Sequence, residues 1–178
     1  MSPERFQAMA RLSILVHSLA LVSMLALFLG ACGLWRRLSL SRHLAFAGLV
    51  TYGFAMIAGM ITGILNGFVA PSLIYRMMTH PEAKQAWDIA LHYSSDLAQS
   101  FAQVLVIASS LAILLWSIAI VRRGDLDRGL GIYGCIVAPL IMVAVLSSHI
   151  RLNVHGFGLV VLLQTVWFIV AGVQLWRV

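Results

Sequence analysis

LAFAGLVTYGFAMIAGMITGILNGFV, residues 44–69, runs for 26 residues without a charged side chain. A helix needs about 20 apolar residues to cross the ~30 Å hydrocarbon core of a bilayer, so this stretch is long enough to span it. It lacks the strict apolar/polar alternation of an outer-membrane strand. Four more stretches meet the same requirement, at about 12–35, 97–121, 130–150 and 156–176. No Gly/Ser-rich linker interrupts them. The chain therefore reads as one domain, 1–178, an all-α integral membrane protein forming a compact bundle of five transmembrane helices.

Composition points the same way. Hydrophobic residues make up 61% of the 178, charged residues only 10%, and the mean hydropathy is +0.96. A soluble domain of this length cannot hide that much apolar surface. The net charge of +6 comes from arginines that flank the spans, where they meet anionic headgroups. The expected partner is thus the lipid bilayer, and nucleic acid is not expected.

Five spans place Arg5, Arg11, Arg76, Lys84 and Arg151 on one side. Arg36, Arg37, Arg42, Arg122, Arg123, Arg128 and Arg177 fall on the other, mostly in two short loops. Short loops dominate the positive-inside rule, which gives an N-out/C-in chain in a bacterial-type inner membrane. Trp35, Trp116 and Trp176, near the span ends on the arginine side, fit an interfacial belt. Leu29-Gly30-Ala31-Cys32 resembles a lipoprotein cleavage box. The apolar run before it exceeds the roughly 7–15 residues of a signal sequence, and Arg36 and Arg37 follow at once. Cys32 and Cys135 are accordingly expected as free thiols.

Gly59, Gly63 and Gly67 recur every fourth residue, and Thr51 and Ala55 extend the row. Small residues at this spacing let two membrane helices approach closely. The pattern predicts a tight contact, either with another helix of this chain or with a homo-oligomeric or other membrane partner. Pro139 interrupts the fourth span, where its ring and missing N–H predict a kink or an unpaired carbonyl.

Between the second and third spans, Pro81 suits the first position of a helix, with Thr79 or His80 as cap and Glu82 in the first turn. A helix over about 81–96, on the outer side, is expected to continue into the third span. Along it Lys84, Asp88, His92 and Asp96 form one stripe, which Gln99, Ser100 and Gln103 carry into the apolar run. The spacing also suits an exposed face supported by ion pairs. Lipid disfavours the polar continuation, so the face is expected to look toward other helices.

Other spans offer polar groups at comparable depth: His17 in the first, Asn66 in the second, His149, Arg151 and His155 around the fourth and fifth, and Gln164 within the fifth. Imidazoles bind transition metals and haem iron, and Asp88 and Asp96 stand one turn from His92 as orienting carboxylates. His17, His92, His149 and His155 are the candidate metal or haem ligands. Asn66, Asp96, Gln99, Gln103, Arg151 and Gln164 complete the candidate ligand-binding set. No compact HExxH or CxxC motif sharpens this choice.

The polar groups at the other end are few: Thr51, Tyr52, Ser110, Ser117 and Tyr133. A channel or transporter needs polar lining through the midplane, which this chain lacks. The leading expectation is an outward-facing pocket for a metal, haem or small polar ligand. Two others stand beside it: a structural or assembly subunit of a membrane complex, and an enzyme acting on lipid or quinone at the outer interface. No serine motif marks a nucleophile.

Overall fold

The computed structural model describes residues 3–38, 42–123, 126–147, 149 and 154–176. Six α-helices follow one another: α1 (Pro3–Arg37), α2 (Arg42–Ile64), α3 (Ala70–Thr79), α4 (Lys84–Arg123), α5 (Arg128–Leu146) and α6 (Val154–Trp176). A π-helical turn, Leu65–Val69, joins α2 to α3, and a 3-10 turn, Pro81–Ala83, opens α4. Five of the resulting rods are long and apolar enough to cross a membrane. Among the described residues there is no strand. The expected all-α bundle of five apolar helices is what forms, although Arg151 and its neighbours lie outside the described residues.

The second rod does not stop at residue 69 as expected. Pro71 has no N–H to give, and in a regular α-helix its ring would press on the carbonyl four residues back, at Gly67. The chain meets this by widening: the Ala70 N–H reaches Leu65 O, one residue further back than in an α-helix. With the strain absorbed there, the helix runs on to Thr79. His80 breaks it with φ −126° and ψ 71°, and Pro81 restarts the chain. The expected side-chain cap is absent, since the Thr79 hydroxyl donates back to Tyr75 O at 3.1 Å. From Pro81 the helix does continue into the third span, as the sequence suggested.

The rod Arg42–Thr79 has 38 residues and α4 has 40. At 1.5 Å per residue each is roughly 60 Å long, about twice the hydrocarbon thickness. The charged segment Lys84–Asp96 therefore stands clear of the membrane-spanning part of α4, and with α3 it makes a projecting hairpin. Phe6 of α1 reaches this projection and stacks on Tyr75, 6.4 Å between ring centroids. Arg76 lies over the Trp87 ring at 5.2 Å, a cation–π contact between the two arms. We call this the hairpin end. Arg36, Arg37, Arg42, Arg122 and Arg128, all exposed, mark the arginine end.

α4 is the central element, with α2 on one flank and α5 on the other; α1 packs mainly on α2, and α6 touches its neighbours more lightly. The larger core cluster lies toward the arginine end, around Tyr52, Trp116, Ile120 and Trp167. A smaller cluster of Ala102, Val106, Ile141, Val145 and Val160 fills the hairpin half. Trp116 is not part of an interfacial belt: it is fully buried, and its indole N–H donates to Ala45 O at 3.0 Å. Gly48 makes this approach feasible, because a Cβ there would stand 2.6 Å from the indole nitrogen. Pro139 lies inside a helix assigned without a break from Arg128 to Leu146.

The glycine row is occupied from within the chain. A Cβ at Gly59 would meet Met24 at 2.8 Å, one at Gly63 would meet Leu21 at 3.6 Å, and one at Gly67 would fall on the His17 Cβ. His17, Leu21 and Met24 form a ridge on α1, at i, i+4 and i+7, that fills the groove the glycines leave. The alternative use of this row, against a second copy or another protein, loses its free surface.

Candidate functional site

The residues expected to converge at the hairpin end sit on different elements, and among the described residues no hydrogen bond or ion pair joins one of His17, His92, His149 and His155 to another. On α4, Lys84, Asp88, His92, Asp96, Gln99, Ser100 and Gln103 are all exposed. The reason is rotational. The opposite face carries Trp87, Leu91, Ser94, Ala98 and Ala102, half-buried to buried, and that smaller, more apolar face packs inward. Once it does, every residue of the four-residue stripe points away from the bundle, contrary to the expectation that it faces other helices.

On the stripe the contacts are local. His92 donates from Nδ1 to the Asp88 carbonyl at 2.8 Å, with the Asp88 carboxylate 3.7 Å away. The carbonyl bond first, then the charge of Asp88, hold the His92 pKa above the usual histidine value, with Asp96 adding to the effect. The Ser100 hydroxyl donates to Asp96 O at 2.9 Å. Nearby, His80 Nδ1 lies 3.2 Å from Glu82 Oε1, both side chains well exposed.

His17 is half-buried against Gly67, with Nδ1 donating to Ser13 O at 2.8 Å. Nδ1 is thus engaged within its own helix, and the ring is wedged against Gly67 of the π turn. Asn66, in the same turn, is exposed. At the other connection His149 and His155 are exposed, and His149 Nδ1 pairs with the Ser147 hydroxyl at 2.8 Å. Arg151 lies outside the described residues. Among the described residues, no group of three or more His, Cys, Asp or Glu side chains could hold a metal ion.

Gln164 is not at the rim with the histidines. It lies ten residues, about 15 Å, along α6, which is half the thickness of the hydrocarbon core. Its Nε2 donates to Ser110 Oγ at 2.9 Å, and its Oε1 accepts from Ser109 Oγ at 3.1 Å. One level toward the arginine end, the Trp167 indole donates to Ser117 Oγ at 3.1 Å. From α5 the Tyr133 hydroxyl donates to Leu163 O at 3.0 Å. These bonds tie lightly packed α6 to α4 and α5, and they form the polar centre that the sequence reading left scattered. The signal was there: Ser110 and Ser117 are seven apart on one face, as Gln164 and Trp167 are three apart on theirs.

A concave feature lies between α1 and α6. It has a volume of about 420 Å³ and is walled by Ala26, Leu27, Gly30, Leu34, Phe168 and Gly172 among others. Ser23 is its polar member, and that hydroxyl is engaged with Leu19 O at 2.8 Å.

Compared with protein-family models, curated proteins and solved structures, the chain finds no match.

Proposed function

We propose that this protein is a subunit of a membrane assembly, and that its partner covers the exposed polar face of α4. The observation that carries the reading is the course of that face. Lys84, Asp88, His92 and Asp96 are at home in water, but Gln99, Ser100 and Gln103 continue the same exposed face for about two turns into the apolar run. Polar side chains presented to hydrocarbon are costly, and interhelical hydrogen bonds are how membrane helices satisfy them. A partner with a polar transmembrane helix, and with charged groups just outside the bilayer opposite Lys84 to Asp96, would meet both halves of the face.

In this reading the hairpin end faces outward and the arginine end the cytoplasm of a bacterial-type inner membrane, an orientation that the positive charge of the short loops supports. A metal pocket draws less support, because among the described residues no group of three or more His, Cys, Asp or Glu side chains could hold a metal ion.

The test is gentle solubilisation of the wild-type chain and of the double variant Gln99→Leu, Gln103→Leu, with native mass measurement of each. A stoichiometric complex that the double substitution disperses, while the chain stays inserted and helical, is the expected result. A complex of unchanged mass in the double variant, or a wild-type chain that runs alone, would overturn the proposal.

A further inference from the structure

We infer that the groove between α1 and α6 is a binding site for an acyl chain of an anionic phospholipid, whose phosphate is held by Arg37. Three observations converge on that occupant. First, the walls are apolar and small. Ala26, Ala31 and Ala171 line the groove, and a Cβ added at Gly30 or Gly172 would meet nothing within 4 Å. The one polar member, Ser23, has its hydroxyl turned to its own helix. Nothing inside the groove rewards a polar solute, whereas an alkyl chain loses nothing by entering.

Second, the dimensions fit a lipid rather than a helix. The α1 wall runs from Ser23 to Leu34, eleven steps of about 1.5 Å, or about 16 Å along the axis. That is close to half of the ~30 Å hydrocarbon core, the depth of a single leaflet. A packed transmembrane helix would need a seam through the whole bilayer. The volume of about 420 Å³ is within the range of small-ligand sites.

Third, charge stands at one mouth only. The groove ends at Leu34 and Leu175, and in the last turn of α1 exposed Arg37 continues the row of Gly30 and Leu34, with exposed Arg36 on the other side of the helix. Arg42 and His43, at the start of α2, are exposed at the same end. Cationic side chains directly beyond an apolar slot complement a phosphate attached to an acyl chain. Guanidinium groups suit that phosphate because they bind it in a bidentate fork.

The experiment reconstitutes the full chain in vesicles of equal phosphatidylglycerol and phosphatidylcholine, extracts it gently and counts retained lipid by native mass spectrometry. The wild-type chain should retain phosphatidylglycerol in preference. Gly30→Leu and Gly172→Leu, which fill the groove without touching the core, should each lose the retained lipid. Gly33→Leu, on the same helix and also in open space but outside the groove, should keep it. Arg37→Gln should lower the preference for the anionic lipid by about fivefold, and Arg36→Gln by less, while phosphatidylcholine is still held. Retention that survives both groove-filling variants, or a dimer of this chain that those variants dissociate, would overturn the inference.

Discussion

Trp116 of α4 and Trp167 of α6 stack with ring centroids 5.8 Å apart and 15° between their planes. Both are fully buried, and Tyr52 and Phe168 close the cluster at 5.5 and 6.3 Å from Trp116. This stack joins α6 to α4, and α5 leaves room for it at Gly134. A Cβ there would fall on Ser117 Oγ and stand 2.7 Å from the Trp167 indole nitrogen. Gly134→Ala should therefore break the Trp167–Ser117 bond and cost about 1–3 kcal/mol, as overpacked cores do. Gly158→Ala, where the added methyl meets open space, should leave stability unchanged or slightly raised. Thermal unfolding in detergent, followed by helical circular dichroism, compares the two. An equal response from both variants would contradict the packing described.

Gln164 makes its two hydrogen bonds with Ser109 and Ser110 at mid-depth in the bundle. Each interhelical bond of this kind contributes about 0.6 kcal/mol in a membrane protein. Ser109 also donates to Val106 O at 3.1 Å, so one serine keeps a partner when the glutamine is removed. Gln164→Leu should consequently lower stability by roughly 1 kcal/mol and leave the fold intact. Reversible unfolding in mixed micelles measures this. A loss of several kcal/mol would mean that the glutamine does more than join α4 to α6.

The spans were legible because hydrocarbon imposes a simple rule of length and apolarity, and residues 44–69 or 97–121 obey it without local detail. The π turn was not, because its cause is a clash between the Pro71 ring and a carbonyl four residues earlier, which hydropathy does not register. The polar stripe on α4 was legible as a stripe, but not its direction. Which face turns inward depends on Ser94, Ala98 and Ala102 fitting the neighbouring helices, Ala98 beside Thr62 of α2 and Ala102 among Ile141, Val145 and Val160 of α5 and α6, a matter of shape across helices. Trp116 shows the same limit: position near a span end suggested the interface, while the carbonyl of Ala45 and the missing side chain of Gly48 drew it into the core.

Gly67 is the tightest point of the glycine row, since the His17 side chain occupies the space a Cβ would need. His17 cannot simply swing aside without losing the 2.8 Å bond from its ring to Ser13 O. Gly67→Ala should thus separate α1 from the π turn, and Gly63→Ala, with Leu21 at 3.6 Å, should be tolerated. Double electron–electron resonance between spin labels at Ser13 and Ser72 reads the change directly. A longer distance in the Gly67 variant alone is expected, and an unchanged distance would show that α1 is held by other contacts.

His92 is exposed on the hairpin, and Asp88 and Asp96 raise its pKa against a smaller opposing effect of desolvation. The largest contribution is the bond to the Asp88 carbonyl, which any residue at 88 retains; the Asp88 carboxylate comes second. Asp88→Asn should therefore lower the His92 pKa without returning it to the usual histidine value, and Asp96→Asn should lower it by less. The sign for folding follows. A raised folded pKa makes the protonated form favour the fold, fully so below the ordinary value near 6.5 and fading as pH rises through the folded pKa. Water and salt screen a fully exposed pair, so the readout is the titration of the imidazole C2 proton by NMR rather than a melting temperature. A His92 pKa indifferent to Asp88→Asn would show that the carbonyl acts alone. If the exposed face of α4 does meet a partner, that same titration, repeated on the complex, should shift again as the partner's charges approach His92.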